Sequence, residues 1–226
     1  MKRTIDIPPC PDPLSYVLVQ TKEGSFWRRK RGLGTKGVQL NHSFKISAEG
    51  MALTAPSAKR IVGKLKPFLD GLITGRITVR ISGKLRKQYN KTGTIDYAYL
   101  VNMDLQPDYP LKKLLLAPVS VTVNKDVLNI SVPVDYATIK KNSSLVTHYF
   151  FEVILISGDC TVNEGLRIES ESSDVYPVAV EGQHTCSFSL ALPDRSWFAV
   201  LKLSCIEGNE MAASPKNYGL KIVAIG

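Results

Sequence analysis

The residues best equipped for chemistry in this 226-residue chain are few and dispersed. Its three histidines, His42, His148 and His184, have neither the i, i+4 spacing of a helical metal site nor a Cys or Glu in a ligand pattern beside them. The four cysteines, Cys10, Cys160, Cys186 and Cys205, form no CxxC pair. Cys186 and Cys205 lie in apolar alternating stretches that favour buried free thiols, a disulfide between them being the lesser alternative. There is no GxSxG elbow and no phosphate loop ending in GK[ST]; the glycines of RGLGTKG only loosely imitate one. The carboxylates Glu164, Glu169, Glu171 and Asp174 fall in or near IESESSD, which reads as a solvated acidic loop without the offsets of a calcium site. No catalytic, metal or cofactor residue is selected, and a non-enzymatic role is expected, with no cofactor and no small-molecule substrate; an enzyme with no recognisable motif is the further alternative.

Positive charge is the stronger signal. Residues 1–96 hold 19 Lys/Arg against 6 Asp/Glu, and residues 97–226 hold 10 against 14, so +13 and −4 make up the net +9. Such segregation points to an anionic partner or to the acidic half of a neighbouring copy. Three groups carry the charge: Arg28, Arg29, Lys30 and Arg31 after Trp27; Lys59, Arg60, Lys64 and Lys66; and Arg76, Arg80, Lys84, Arg86 and Lys87. Arginine forks match phosphate oxygens and an exposed indole stacks on bases, which would give salt-sensitive, sequence-independent nucleic-acid binding. The plainer alternative is a solvated face with Trp27 as a core anchor. The alternative favoured here is head-to-tail packing of basic on acidic halves, a heterologous contact that yields rings or filaments.

Residues 1–14, with Pro8, Pro9, Pro11 and Pro13, read as an extended arm, because proline fixes φ and removes an amide donor. Residues 15–96 read as a basic hairpin plus helices. SYVLVQ and SFWRRKRG flank a Lys22–Gly24 turn, and residues 32–41 form a glycine-broken loop. Ala58, Ile61, Val62, Leu65, Phe68, Leu69 and Leu72 recur at helical steps and predict a helix over 57–72, with Pro56 in its first turn and a kink at Pro67. Ile73, Ile77, Ile81 and Leu85 predict a second helix over 74–89, stopped by Asn90–Gly93, its basic stripe roughly 90° from its apolar one.

Residues 97–226 read as a β-sandwich. YAYLVNM, VSVTVN, VLNISVPV, THYFFEVILIS, DVYPVAV, TCSFSLALP, WFAVLKLSCI and GLKIVAIG are β-branched or aromatic runs separated by turn chemistry. About seven strands in an immunoglobulin-like or Greek-key sandwich are expected. Val119, Val121 and Val123 pair with Leu128, Ile130 and Val132 across a tight turn at 124–126. The fold class is therefore mainly β with a helical segment, α+β. The arm and the strand GLKIVAIG are the elements expected to cross between subunits.

The pattern WRRKRG, a glycine-broken loop, FKISAEGMALTA, AKRIVGKLKPFL and RITVRISGKL ahead of a β domain resembles an uncharacterised Bacteroidota family, often near mobile-element or phage-like genes. The likeness covers about residues 16–96 and assigns no site residue. It implies a context of phage-like or secreted assemblies. The expectation is a homo-oligomeric or polymeric subunit, with nucleic acid as the alternative partner. No membrane span and no signal peptide are read, so the default location is the cytoplasm of the producing cell, or a released particle.

Overall fold

The structure, a computed structural model, describes residues 9–10, 12, 14–21, 24–30, 42–69, 75–140, 142–179 and 181–226. Most of the proline arm, the 32–41 loop and Arg31 lie outside the described residues. The chain divides into two compact units, Met1–Lys45 and Ile46–Gly226.

In the first unit, β1 (Tyr16–Thr21) and β2 (Gly24–Arg29) pair antiparallel, with Leu18 opposite Trp27 and Val19 opposite Phe26.

The second unit takes in two sheets and the helices, apart from the first four residues of α1. The first helix, α1 (His42–Leu65), begins well before the expected 57 and carries Pro56 in its interior. Pro67 does not kink it: the α-helix ends at Leu65 and Pro67 sits in a 3₁₀ turn, Lys66–Phe68. A proline cannot donate to the carbonyl four residues back, so its position inside the last turns converts the α ladder to 3₁₀. The second helix, α2 (Gly75–Thr92), ends where Gly93 adopts φ 74° and its amide bonds to the Tyr89 carbonyl, a glycine stop. A short helix, α3 (Leu111–Leu114), precedes the sheets.

The strands are β3 (Ser120–Asn124), β4 (Val127–Val134), β5 (Val146–Gly158), β6 (Leu166–Ser172), β7 (Tyr176–Pro177), β8 (His184–Ala191), β9 (Trp197–Glu207), β10 (Glu210–Met211) and β11 (Tyr218–Ile225). One sheet has the order β3–β4–β8. In the other, β9 lies between β5 and β11, with β6 beyond β5 and the two-residue β7 and β10 attached to β5 and β9. The chain passes between the sheets after β4, before β8 and after β8. The fold is mainly β, α+β, with antiparallel pairing throughout.

Two cores flank the larger sheet. Phe151, Val153, Leu155, Leu201 and Leu203 meet Leu128, Ile130, Val132 and Phe188 of the smaller sheet. On its other face Ile154, Ile156, Phe198, Val200, Leu220 and Ile222 meet Ala58, Ile61 and Leu65 of α1 and Ile77, Ile81 and Leu85 of α2. The result is three layers: helix pair, central sheet, outer sheet. Each fully buried Leu or Ile side chain contributes about 1.5–3 kcal/mol, so the second of these cores fastens the helices to the central sheet. Being covered on both faces explains why β9 is apolar without alternation, whereas β4 alternates.

Three expectations are corrected. YAYLVNM is not a strand: it forms a 3₁₀ turn, Ala98–Leu100, and an extended segment bridging Asp104 to Lys221. IESESSD is not a loop, since residues 166–172 form the edge strand β6. The terminal run GLKIVAIG stays in its own sheet. One edge of β11 pairs with β9, and the other is closed by Asn102 and Leu105 amides donating to Ile222 and Leu220 carbonyls and by the Ile222 amide donating to Met103.

Candidate functional site

Helix α2 carries six cations and no carboxylate: Arg76, Arg80, Lys84, Arg86, Lys87 and Lys91. At 100° per residue, five of them fall within about 80° of one another, and Arg86 lies apart. The buried Ile77, Ile81 and Leu85 flank this stripe on one side. Repeated like charges at i, i+4 oppose the helix by about 0.2–0.5 kcal/mol each, so packing of the apolar face must hold the stripe together. The face of α2 directly opposite the stripe meets α1, where Thr54 and Ser82 hydroxyls approach to 3.5 Å. Gly50 sits so close to the Tyr89 ring that an added Cβ would lie 3.0 Å from it.

Segment 96–109 takes up part of the stripe. Arg80 donates to the Asp104 carbonyl at 2.5 Å. Arg76 reaches Asp108 at 3.9 Å, with both side chains largely exposed, an ion pair worth about 0–1 kcal/mol. Lys87 and Lys91 stand 5.6 and 5.9 Å from the centre of the Tyr99 ring, within cation–π range. Lys84 and Arg86 have no hydrogen bond or ion pair among the described residues, and Lys84 is exposed.

On α1 the cations divide. Arg60 clamps the β5–β6 loop, donating from Nε and Nη2 to Asn163 Oδ1 at 3.0 and 2.8 Å and from Nη1 to the Cys160 carbonyl at 3.2 Å. Its task here is structural. Lys59, Lys64 and Lys66 are exposed. In the hairpin the run WRRK is split by the pleat: Trp27 and Arg29 share one face, Phe26 and Arg28 the other, because neighbouring strand residues point oppositely. Phe26 is 49% exposed, and Lys30 donates its amide to the Ser15 carbonyl.

An acidic counterpart lies within the same unit. Glu169 and Glu171, both exposed, project from one face of β6, and exposed Asp174 follows. The sequence hid this arrangement, because a serine-rich acidic stretch has the composition of a loop.

A groove of about 1150 Å³ opens where α1 and the end of α2 meet the β5–β6 and β8–β9 loops. Leu53, Ile95, Val162 and Leu192 give it apolar walls, and Asp96, Asp159, Asp194 and Arg195 line its rim. Its polar groups hold the loops: Asp96 accepts from the Ala98 amide and from Gln88 Nε2, and Asp159 accepts from the Thr161 amide and hydroxyl. Tyr97 donates to the Gly158 carbonyl at 2.6 Å, and burial holds its hydroxyl well above the usual phenol range. Burial likewise raises the Cys160 thiol, which suits a packed side chain rather than a nucleophile. Cys186 and Cys205 are buried free thiols, not a disulfide. Among the described residues no three His, Cys, Asp or Glu side chains are placed to hold a metal ion, and no helix is long and apolar enough to cross a membrane.

No family model matches the chain. No curated protein matches it. Among solved structures, the solution structure of CsgH from R. palustris aligns with 44% of this chain and 91% of its own, at 9% identity and a TM-score of 0.23.

Proposed function

We propose that this chain is a non-catalytic subunit of a multi-copy assembly, a filament or phage-like particle, in which the basic stripe of α2 packs on the acidic β6 surface of the next copy. One observation carries this reading. The stripe holds five cations in a row, and the described residues neutralise it with one exposed carboxylate, Asp108. Glu169, Glu171 and Asp174 offer the complementary charge on a different element, so the contact is heterologous and propagates from copy to copy. The resemblance to a Bacteroidota family near phage-like genes points the same way, and a cytoplasmic origin with release in a particle is part of the proposal.

Sedimentation velocity of the full chain at rising concentration is the test. Growth in size at ~50 mM salt that disappears near ~500 mM supports the contact, because screening shortens the reach of exposed charges to a few ångströms. A single monomeric species at both salts contradicts it.

Nucleic acid is the second reading, favoured by the Tyr99 ring beside Lys87 and Lys91, an aromatic face within a cationic stripe. Retardation of unrelated DNA and RNA alike at ~50 mM salt supports it, and no retardation removes it, since phosphate contacts are strongest there.

A further inference from the structure

The sandwich has four outer strand edges, and they are not treated alike. The edge at β6 carries Arg167, Glu169 and Glu171, the charged side chains that ordinarily keep an edge from pairing. The edge at β11 is closed by Asn102–Leu105. The edges at β3 and β8 have neither protection, but of the two only β3 exposes a large apolar side chain, Val123. The sequence of β3 is SVTVN, with no charge, no proline and no bulge in its five-residue register with β4.

The hairpin register settles which backbone groups stand free. Asn124 pairs with Val127 across a two-residue turn at Lys125–Asp126, so Asn124, Thr122 and Ser120 direct their amides and carbonyls to β4. Val121 and Val123 direct theirs outward. No other backbone partner meets these groups among the described residues. Val123 is also 50% exposed. Beside this edge, between α3, residues 117–119 and β11, lies a notch of about 220 Å³ lined by Leu111, Leu115, Ala117, Val119 and Val223 together with Lys112 and Lys221. The face that β3 shares with β4 and β8 bears Ser120, Thr122, Asn129, Ser131, Ser187 and Ser189, so no charge opposes a flat approach.

We propose that β3 is a self-pairing edge, joining antiparallel to β3 of a second copy about a two-fold axis at Thr122. An antiparallel edge is complementary to itself under that symmetry. Val121 of each copy pairs with Val123 of the other through roughly four backbone hydrogen bonds. The two Thr122 side chains meet at a non-hydrogen-bonded position, where side chains approach most closely and hydroxyl pairs are favourable. The valines of the added strand extend the apolar rim toward the notch. The contact goes beyond the α2–β6 reading and uses separate residues. It is uncharged, so it persists in salt that dissolves the other.

The test places a thiol on the axis. In full-length chain with Cys10→Ser, Thr122→Cys is oxidised with glutathione disulfide at ~500 mM salt, where charge contacts are screened. Non-hydrogen-bonded antiparallel positions, with Cα atoms ~4.5 Å apart, lie within disulfide reach. The expected result is a covalent dimer as the main product, while Ser189→Cys, on the outer strand β8, stays monomeric. Val123→Pro removes an outward amide and leaves the β3–β4 ladder intact, and it is expected to abolish crosslinking when added to Thr122→Cys. A monomeric Thr122→Cys protein, a Ser189→Cys dimer in its place, or crosslinking unaffected by Val123→Pro overturns the proposal. Loss of the salt-sensitive growth alone strikes only the α2–β6 reading; loss of the crosslink alone strikes only this one.

Discussion

Lys202 of β9 and Glu152 of β5 face each other on the helix side of the central sheet, Nζ 3.0 Å from Oε2, with side chains 8% and 13% exposed. Cross-strand register places them together, and their slight exposure leaves them little water. A buried pair of this kind adds little over a well-packed apolar pair, yet losing one partner strands the other's charge. Lys202→Met is therefore expected to lower stability by about 3–5 kcal/mol in urea unfolding. Lys202→Met combined with Glu152→Leu should recover most of that loss. Equal loss in the single and double variants would show that the pair contributes chiefly through attraction.

Two glycines should respond in opposite directions to alanine. At Gly219 a Cβ would stand 2.8 Å from Leu111 Cδ1 and 3.0 Å from its Cα, where α3 rests on β11. Overpacking there is expected to cost about 1–3 kcal/mol. At Gly63, inside α1, a Cβ meets nothing within 4 Å. Gly63→Ala should gain up to about 1 kcal/mol from helix propensity and reduced unfolded-state freedom. Thermal melts of the two variants provide the comparison.

Alkaline pH should unfold the protein through its buried acids. Burial pushes the Cys205 thiol up to about 12 and raises Cys160 and Cys186 from an ordinary value near 9. A group whose folded pKa lies above its unfolded one is protonated more in the native state, so its contribution is complete below the unfolded value and fades through the folded one. The melting temperature is thus expected to fall steadily between about pH 9 and 12, less so in Cys205→Ala when each is referred to its own pH 8 value. At pH 8 a thiol reagent should modify the half-buried Cys10 rapidly and the three buried cysteines only after unfolding. Rapid modification of Cys205 in the native protein would contradict its placement.

Much of this architecture was legible because its periods are unmixed. Val121 opposite Ile130 and Val123 opposite Leu128 follow the alternation visible in VSVTVN and VLNISVPV. The stripe Ile77, Ile81, Leu85 likewise declared α2. What escaped lies where local signals conflict with tertiary demand. YAYLVNM has strand composition, yet its backbone is used to close the β11 edge, with two hydrogen bonds through Asn102 and Met103 and a third from Leu105 just beyond it. Pro56 looks like a helix start, but α1 continues through it from His42, and only the later part, Ala58, Ile61 and Leu65, is held against the sheet. The tasks of Arg60 and Arg80 were invisible because their partners, Asn163, Cys160 and Asp104, are brought near only by the fold. The unbroken apolar run of WFAVLKLSCI was the available sign that the central sheet is covered on both faces.

Charge complementation tests the α2–β6 contact most directly. One full-length variant carries Lys84→Glu and Lys87→Glu, the other Glu169→Lys and Glu171→Lys, so each confronts a like-charged neighbour. At ~50 mM salt, where charge contacts are least screened, each is expected to lose the salt-sensitive growth seen in sedimentation velocity, and an equimolar mixture should regain it, because each reversed surface then meets its opposite. Variants that still grow like the parent chain, or a mixture that fails to grow, would contradict the contact.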